Sequence, residues 1–133
     1  MNCTTIEGNT FKISDTDVTI TDIVAPACKT IETAHDPYPN SQDNVILGEH
    51  TFEGAKSLTV ILDYQTESTS YDYFLIYDSS SSTTGINNNK KYGGMTRIKA
   101  TITINSNYIK ITFESNSYDN NYYGLKAIVI PNY

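Results

Sequence analysis

The sequence predicts an all-β chain that folds as a two-sheet antiparallel β-sandwich of the jelly-roll type. Residues that favour strands are abundant, with 18 Thr, 16 Ile and 11 Tyr among 133 residues. Residues that favour turns are also frequent, with 13 Asn and 12 Ser. Several segments alternate apolar and polar residues with period two, and no segment has a sustained helical period. These three observations together predict strands with one buried and one solvated face.

Four segments have the clearest strand patterns. The even residues of 58–62 and 98–104 and the odd residues of 109–113 are apolar, which predicts one buried face for each segment. Residues 72–78 are apolar on both faces, which is typical of a central strand. The triplet Asn-Ser-Asn at 105–107 favours a turn, so we predict a β-hairpin between the segments on either side of it.

The rest of the chain completes a single domain over residues 1–133. A low-complexity polar loop is predicted over residues 79–89. About ten short strands, with neither an internal repeat nor a linker, predict one two-sheet sandwich. The additional strands are predicted at residues 10–13, 18–24, 29–32, 45–52 and 122–130.

The charge balance excludes two classes of partner. The chain has 9 basic and 15 acidic residues and a net charge of −6. Nucleic-acid and anionic-membrane surfaces require clustered cations, so neither is an expected partner. The longest apolar runs, such as residues 127–130, are too short to span a bilayer. Polar residues follow Met1 directly, so no signal peptide is visible, and a secreted parent protein would have lost it.

Three motifs occur in order along the chain. In residues 66–78, an acidic residue precedes a Tyr-Asp-Tyr strand that ends in an acidic turn. Residues 107–117 are followed by Gly-Leu-Lys-Ala at 124–127, and Asp-Pro-Tyr-Pro-Asn lies at 36–40. These motifs resemble those of CUB domains, in which the second corresponds to the last two strands. The resemblance covers roughly residues 32–130 and implies a CUB-like sandwich.

Two departures place the resemblance with divergent, cysteine-poor CUB domains. The cysteine that usually precedes the Tyr-Asp-Tyr strand is absent, and the chain contains no Trp. The only cysteines are Cys3 and Cys28. Their spacing is compatible with a disulfide, which would add about 3 kcal/mol of stability, and equally with two reduced thiols.

The resemblance implies a calcium site. In calcium-binding CUB domains, a Glu and an Asp of the first motif join an Asp of the second loop around one ion, and here Glu67 and Asp72 match the first two. Asn116 stands where the third is usually Asp, and Asp119 lies three residues further on. Ca²⁺ requires six to eight oxygen ligands, which these side chains would help supply. The alternative is that these residues are solvated turn formers.

A calcium site of this kind implies a recognition or adhesion module. The ion would fix Glu67, Asp72 and Asp119 so that they accept a Lys or Arg of a partner protein, with Tyr118 and Tyr122 as flanking contacts. The net charge of −6 suits a basic partner and predicts binding that weakens in salt.

Two other functions remain open. A sandwich with exposed tyrosines, abundant Asn and a bound Ca²⁺ also describes many carbohydrate-binding modules, although the absence of Trp weakens this interpretation. The residues that would contact a sugar are Tyr108, Asn120, Asn121, Tyr122 and Tyr123. A structural domain of a surface protein would share the same fold.

No catalytic constellation is present in the sequence, so we expect a non-enzymatic protein. There is neither a nucleophile elbow nor a phosphate-binding glycine loop. His35 and His50 lack the spacing of zinc ligands. The expected location is extracellular or at the cell surface, and an intracellular one is compatible with the low cysteine content.

Overall fold

The computed structural model describes residues 10–13, 16–19, 28–118 and 121–133, the first two ranges by their backbone alone. It confirms the all-β fold class. The described residues form nine strands and one short helical turn: β1 (Thr10–Ile13), β2 (Thr16–Thr19), β3 (Lys29–Glu32), β4 (Val45–Thr51), β5 (Ser57–Gln65), β6 (Tyr73–Tyr77), α1 (Ile86–Asn89), β7 (Ile98–Ile104), β8 (Tyr108–Glu114) and β9 (Gly124–Asn132).

The two larger sheets pack face to face as a sandwich. One sheet has four strands in the order β3-β9-β5-β7, and the other has three in the order β4-β8-β6. All pairings are antiparallel, and β1 and β2 form a separate two-stranded sheet. Buried side chains from both larger sheets join in one hydrophobic cluster that includes Leu58, Val60, Leu62, Val129, Phe74, Ile76, Ile109, Ile111 and Phe113.

The alternating pattern of β5 is confirmed. Its even residues are buried and its odd residues are partly exposed, because side chains alternate between the two faces of a strand. The strand lies between β9 and β7, so both of its edges are paired. Burial of Leu58, Val60 and Leu62 stabilises the fold by about 1.5–3 kcal/mol per side chain.

The predicted hairpin around residues 105–107 is wrong. Strand β7 pairs with β5, whereas β8 pairs with β4 and β6, so the turn carries the chain from one sheet to the other. Each strand has the expected apolar face, because a strand on either side of a sandwich buries one face in the same core. The period-two pattern therefore identified the strands and their faces but not their pairing.

The prediction of a central strand at residues 72–78 is also wrong. Strand β6 is an edge strand, and β8 is the centre of its sheet. Leu75 is nonetheless buried on the outer face of this sheet. On the same face, the ammonium groups of Lys91 and Lys110 lie over the rings of Tyr73 and Tyr77, at 4.5 and 4.6 Å from the ring centroids. The apolar pattern on both faces thus reflects covering side chains rather than two neighbouring strands.

The remaining boundaries differ little from the prediction. Strands β1 and β3 have the predicted bounds, while β4 ends one residue earlier than predicted and β9 is shifted towards the C-terminus. The predicted strand at 18–24 overlaps the end of β2, and residues 20–24 lie outside the described residues. The polar segment 79–89 contains α1, in which Asn87 and Asn88 adopt left-handed backbone angles. None of the described residues forms a helix with the length and hydropathy needed to cross a bilayer.

Candidate metal and recognition site

The candidate site forms at one end of the sandwich, in the loop between β5 and β6. The backbone N–H groups of Tyr71 and Asp72 both donate to the carbonyl of Ser68, which closes a tight turn. The hydroxyl of Thr66 donates to the carbonyl of Asp72 at 2.9 Å and accepts from the N–H of Gly94 at 2.8 Å. These bonds fix the backbone of Asp72 against the segment that follows α1.

Gly93 allows this close approach. A Cβ atom at this position would lie 2.5 Å from Thr66 Oγ1 and 2.9 Å from the carbonyl oxygen of Asp72. Both distances are too short for a carbon atom, so a larger residue would push the Asp72 loop away. The glycine is therefore required by the packing of the site.

Asp72 is completely buried, with 0% of its surface exposed. Its Oδ1 accepts a hydrogen bond from the backbone N–H of Asn116 at 2.8 Å, and its Oδ2 accepts one from the hydroxyl of Tyr38. The Tyr38 oxygen in turn accepts from the backbone N–H of Glu67 at 3.1 Å. A single hydroxyl group thus joins the Glu67 backbone to the Asp72 carboxylate.

Tyr38 is held by the three-stranded sheet and by the Asp72 carboxylate. Its side chain is buried, and its ring meets the edge of Phe113 with the centroids 5.4 Å apart. Burial, followed by the hydrogen bond to Asp72, raises the pKa of the Tyr38 hydroxyl well above its ordinary value. The phenol therefore remains a hydrogen-bond donor to Asp72 throughout the neutral range.

The loop after β8 is tied to the segment that carries Tyr38. The backbone N–H of Ser115 donates to the carbonyl of Gln42, and the Ser115 hydroxyl accepts from the N–H of Gln42. The same hydroxyl donates to the carbonyl of Pro39 at 2.8 Å. The N–H of Ser41 donates to the carbonyl of Asn116 at 2.8 Å. Three loops from different parts of the sequence therefore converge on Asp72.

The structure brings together three of the four predicted metal ligands. Glu67, Asp72 and Asn116 lie in the converging loops, and Oε2 of Glu67 is a buried atom. Asn116 contacts Asp72 through its backbone, while its side-chain oxygen accepts from the N–H of Tyr118 at 2.9 Å. Asp119 lies outside the described residues. The side-chain atoms predicted as ligands are carboxylate and amide oxygens, the type of ligand that Ca²⁺ prefers.

Neutral hydrogen-bond donors, rather than an ion pair among the described side chains, hold the Asp72 carboxylate. Among the side chains that the structure describes, ion pairs join Arg97 to Asp63 and His35 to Glu32, and neither involves Asp72. Burial of a carboxylate away from a cation is costly unless its oxygens are hydrogen-bonded, and here neutral donors fill that role. Within residues 28–118 and 121–133, no three His, Cys, Asp or Glu side chains form a metal-binding group.

The predicted flanking contacts differ in their exposure. Tyr118 is 70% exposed next to Asn116, as expected for a contact residue. Tyr122 is only partly exposed and packs against the hydrophobic core. Tyr71 is also 56% exposed, beside Asp72. The only feature of the sequence that could have indicated a contact role for Tyr71 is its position directly before Asp72.

A second polar cluster lies near the same end and was missed by the sequence analysis. The Tyr123 ring stacks on His35 with the centroids 4.1 Å apart, and the guanidinium of Arg97 lies 3.7 Å from the Tyr123 centroid. At these distances the two groups must cover opposite faces of the ring. Arg97 also donates two hydrogen bonds of 2.9 Å to the Asp63 carboxylate. These residues are far apart in sequence, so no local pattern indicates the cluster.

The tyrosines considered for sugar stacking are engaged with the protein. Both ring faces of Tyr123 are covered by His35 and Arg97. Tyr108 is largely buried, and its hydroxyl donates to Glu49 at 2.6 Å. Tyr122 packs against the core. Asn121 is exposed, and Asn120 lies outside the described residues.

The question of the cysteines is partly answered. Cys28 is disulfide-bonded, and Cys3, the other cysteine of the chain, lies outside the described residues.

Comparison with known proteins gave no match for this chain, whether among family models, curated proteins or solved structures. The likeness to CUB domains therefore rests on the three sequence motifs given above.

Proposed function

We propose that this protein is a Ca²⁺-dependent recognition module that presents an acidic corner to a basic group of a partner protein. The observation that carries the proposal is the buried Asp72 carboxylate, on which three loops converge and which is held by neutral donors. The buried Oε2 of Glu67 adds a second carboxylate oxygen to the same loop cluster.

The chemistry of these groups favours a hard cation. Two negative side chains in converging loops repel each other, and a divalent ion removes that repulsion while binding their oxygens. Asp72 and Glu67 would hold the ion, with Asp119 of the loop after β8 as the third carboxylate. When bound, the ion supplies positive charge that fixes the loops, and outward oxygens remain available to a Lys or Arg.

The surroundings support a protein partner in an oxidising compartment. Tyr71 and Tyr118 are exposed beside Asp72 and Asn116, and tyrosine is enriched in protein interfaces. The net charge of −6 attracts a basic partner. The disulfide at Cys28 is typical of extracellular and cell-surface proteins, so we propose that location.

Thermal unfolding in Ca²⁺ and then in EDTA tests the metal site. A ligand that binds only the folded protein stabilises it by about 2.7 kcal/mol at a hundredfold excess over its dissociation constant. We expect Ca²⁺ to raise the melting temperature of the wild type and of Asp63→Asn, but not that of Asp72→Asn. Asp63→Asn is the matched control, because Asp63 is a carboxylate of the adjoining strand that is paired with Arg97.

A second variant separates loss of calcium binding from loss of folding. Asp72→Asn removes a buried charge and could unfold the chain, whereas the side chain of Glu67 is only partly buried. Glu67→Gln should therefore fold and bind Ca²⁺ more weakly in a calorimetric titration. Equal calcium responses in the wild type and both site variants, or none in any of them, would refute the metal site.

Binding of a lysine-rich peptide tests the partner class. We expect binding in Ca²⁺, loss of binding in EDTA, and weakening as salt is added. Calcium binding without peptide binding would retain the metal site and reject the basic partner. Binding to a glycan array that persists in Glu67→Gln would instead support a carbohydrate-binding module.

A further inference from the structure

The two larger sheets have four edge strands, and three of them are protected against pairing with another chain. Strand β4 has an irregular register between Ile46 and Gly48, which is a common device at sheet edges. Strand β3 is only four residues long, and the side chain of Ile31 lies so close to Gly48 that a Cβ there would be 3.0 Å from Ile31 Cγ1. Ile31 of β3 thus packs directly against Gly48 of β4.

The edge of β6 is also partly covered. The backbone of Phe74 exchanges two hydrogen bonds with Tyr92, at 2.8 and 2.9 Å. Since β6 already pairs with β8 on one side, Tyr92 occupies the other side. This bridge interrupts the row of backbone groups that a further strand would need.

Strand β7 has none of these protections. Its seven residues, Ile98–Ile104, pair with β5 in a regular register without a bulge, and the segment contains no Pro. Lys99 is its only charged residue. On its far side, the described part of the chain places no strand. A long, regular and weakly charged edge is a template for strand addition.

The core-facing side of β7 is incompletely covered. Ile98 is 36% exposed, and Ala100 and Ile102 are partly exposed, whereas Ile104 is buried. A strand paired alongside β7 would cover part of this apolar surface. The outer side carries Lys99, Thr101 and Thr103, all exposed.

The sequence of β7 is complementary to itself when two copies run antiparallel with Thr101 at the centre. Residues directly opposite each other then lie on the same face of the sheet. Ile98 faces Ile104, Ala100 faces Ile102, and Lys99 faces Thr103, so apolar residues meet apolar ones and the two lysines avoid each other. We propose that β7 pairs with β7 of a second copy, so that two four-stranded sheets form one continuous sheet in a symmetric dimer.

This dimer would be weak and would respond to salt in a characteristic way. One strand pair buries less area than a stable interface, so a micromolar to millimolar dissociation constant is expected. Each copy has a net charge of −6, so added salt should strengthen the dimer by screening repulsion. Binding of a basic partner at the acidic corner should weaken in salt, so the opposite salt responses distinguish failure of one proposal from failure of the other.

Sedimentation equilibrium of two threonine variants tests the pairing and its register. Thr101→Asp places two carboxylates opposite each other across the two-fold axis and should weaken the dimer several-fold. Thr103→Asp is the matched control, because it places the same side chain opposite Lys99 of the second copy and should leave the dimer as strong or strengthen it. Both threonines are exposed on the same strand, so both variants should fold.

A charge-reversal mixture completes the test. Thr101→Lys alone should also be weakened, and an equimolar mixture of Thr101→Lys and Thr101→Asp should associate more tightly than either variant alone. A wild type that stays monomeric up to millimolar concentration would overturn the proposal. Any strand that pairs with the β7 edge would then have to come from another protein. Equal effects of Thr101→Asp and Thr103→Asp would also overturn it, since the contact would then lie elsewhere.

Discussion

Asp72 and Asp63 lie on either side of one loop, and their carboxylates differ in burial and in the groups that bind them. Asp72 is fully buried and accepts from the hydroxyl of Tyr38 and the N–H of Asn116. Asp63 is in β5, with 22% of its side chain exposed, and accepts two hydrogen bonds from Arg97. One negative charge is held by neutral donors, and the other is neutralised by a cation.

This difference concerns how each negative charge is compensated. A bidentate guanidinium already satisfies Asp63 both electrostatically and geometrically. The neutral donors around Asp72 orient its oxygens but leave its charge uncompensated by a described basic side chain. Asp72 also connects three loops, so its loss should affect the fold more than the loss of Asp63.

The largest expected effect comes from the core that supports the Asp72 site. Phe113 stacks on Phe74 with the centroids 4.7 Å apart and meets the edge of the Tyr38 ring. Phe113→Ala should lower the free energy of unfolding by about 3–5 kcal/mol, since it leaves a cavity beneath Tyr38. Denaturant unfolding measures this loss. The comparison is Tyr123→Leu, in the cluster with His35 and Arg97. An equal or larger loss of unfolding free energy in Tyr123→Leu would contradict the expectation that the core beneath the Asp72 site contributes more to stability.

Tyr38→Phe should have an intermediate effect, because it removes only the hydroxyl between Glu67 and Asp72. Loss of a buried hydrogen bond to a charged group costs about 1.5–3 kcal/mol. The pKa of the Tyr38 hydroxyl is raised in the folded protein. Its contribution to stability is therefore present below the unfolded pKa, about 10, and is lost as pH rises towards the folded pKa.

Unfolding at neutral and alkaline pH measures both effects of Tyr38→Phe. The wild type should lose stability above about pH 10 more steeply than the variant, because the unfolded phenol ionises there and the folded one does not. Tyr118→Phe, at an exposed position, is the control and should follow the wild type. If Tyr38→Phe follows the wild type at alkaline pH, the hydroxyl is not the group that links Asp72 to its surroundings.

Asp63→Asn should have the smallest effect, because the pair with Arg97 is exposed to solvent and screened by salt. The hydrogen bond from Arg97 holds the pKa of the Asp63 carboxyl below its ordinary value. Its contribution is therefore present above about pH 4, the ordinary carboxyl range, and is lost as pH falls through the folded pKa. The melting temperatures of wild type and variant should converge in acid and in high salt. A difference that grows in acid would show that Asp63 is stabilised by something other than Arg97.

Local patterns predicted the strands well and their neighbours poorly. The core-facing sides of β5, β7 and β8 follow from alternating residues, although that of β7 is buried only at Ile104. The hairpin between β7 and β8 was wrong because a turn between strands looks the same in sequence whether it joins neighbours in one sheet or crosses between two. The central position predicted for β6 was wrong because lysines above Tyr73 and Tyr77 contribute to an outer face on which Leu75 is buried.

The sequence predicted which residues belong to the candidate site but not how its loops are organised, and metal binding by these residues stays a prediction. Glu67, Asp72 and Asn116 were selected from motifs that resemble CUB domains, and the structure brings their loops together. Tyr38 lay in one of those motifs, yet nothing in the sequence indicated that its hydroxyl reaches Asp72. The cluster of Arg97, Tyr123 and His35 was missed entirely, since its members come from separate loops.

The sequence by itself determined the secondary structure and the two faces of most strands. Side chains alternate along a strand, and apolar ones are buried away from water while polar ones stay in contact with it. Only the tertiary structure decided which strands pair, which strands lie at the sheet edges and which loops surround Asp72. Those outcomes depend on contacts between residues distant in sequence, and many pairings bury the same apolar faces equally well. The edge of β7, beside which the described residues place no strand, and the enclosed carboxylate of Asp72 both result from the pairing that this chain adopts.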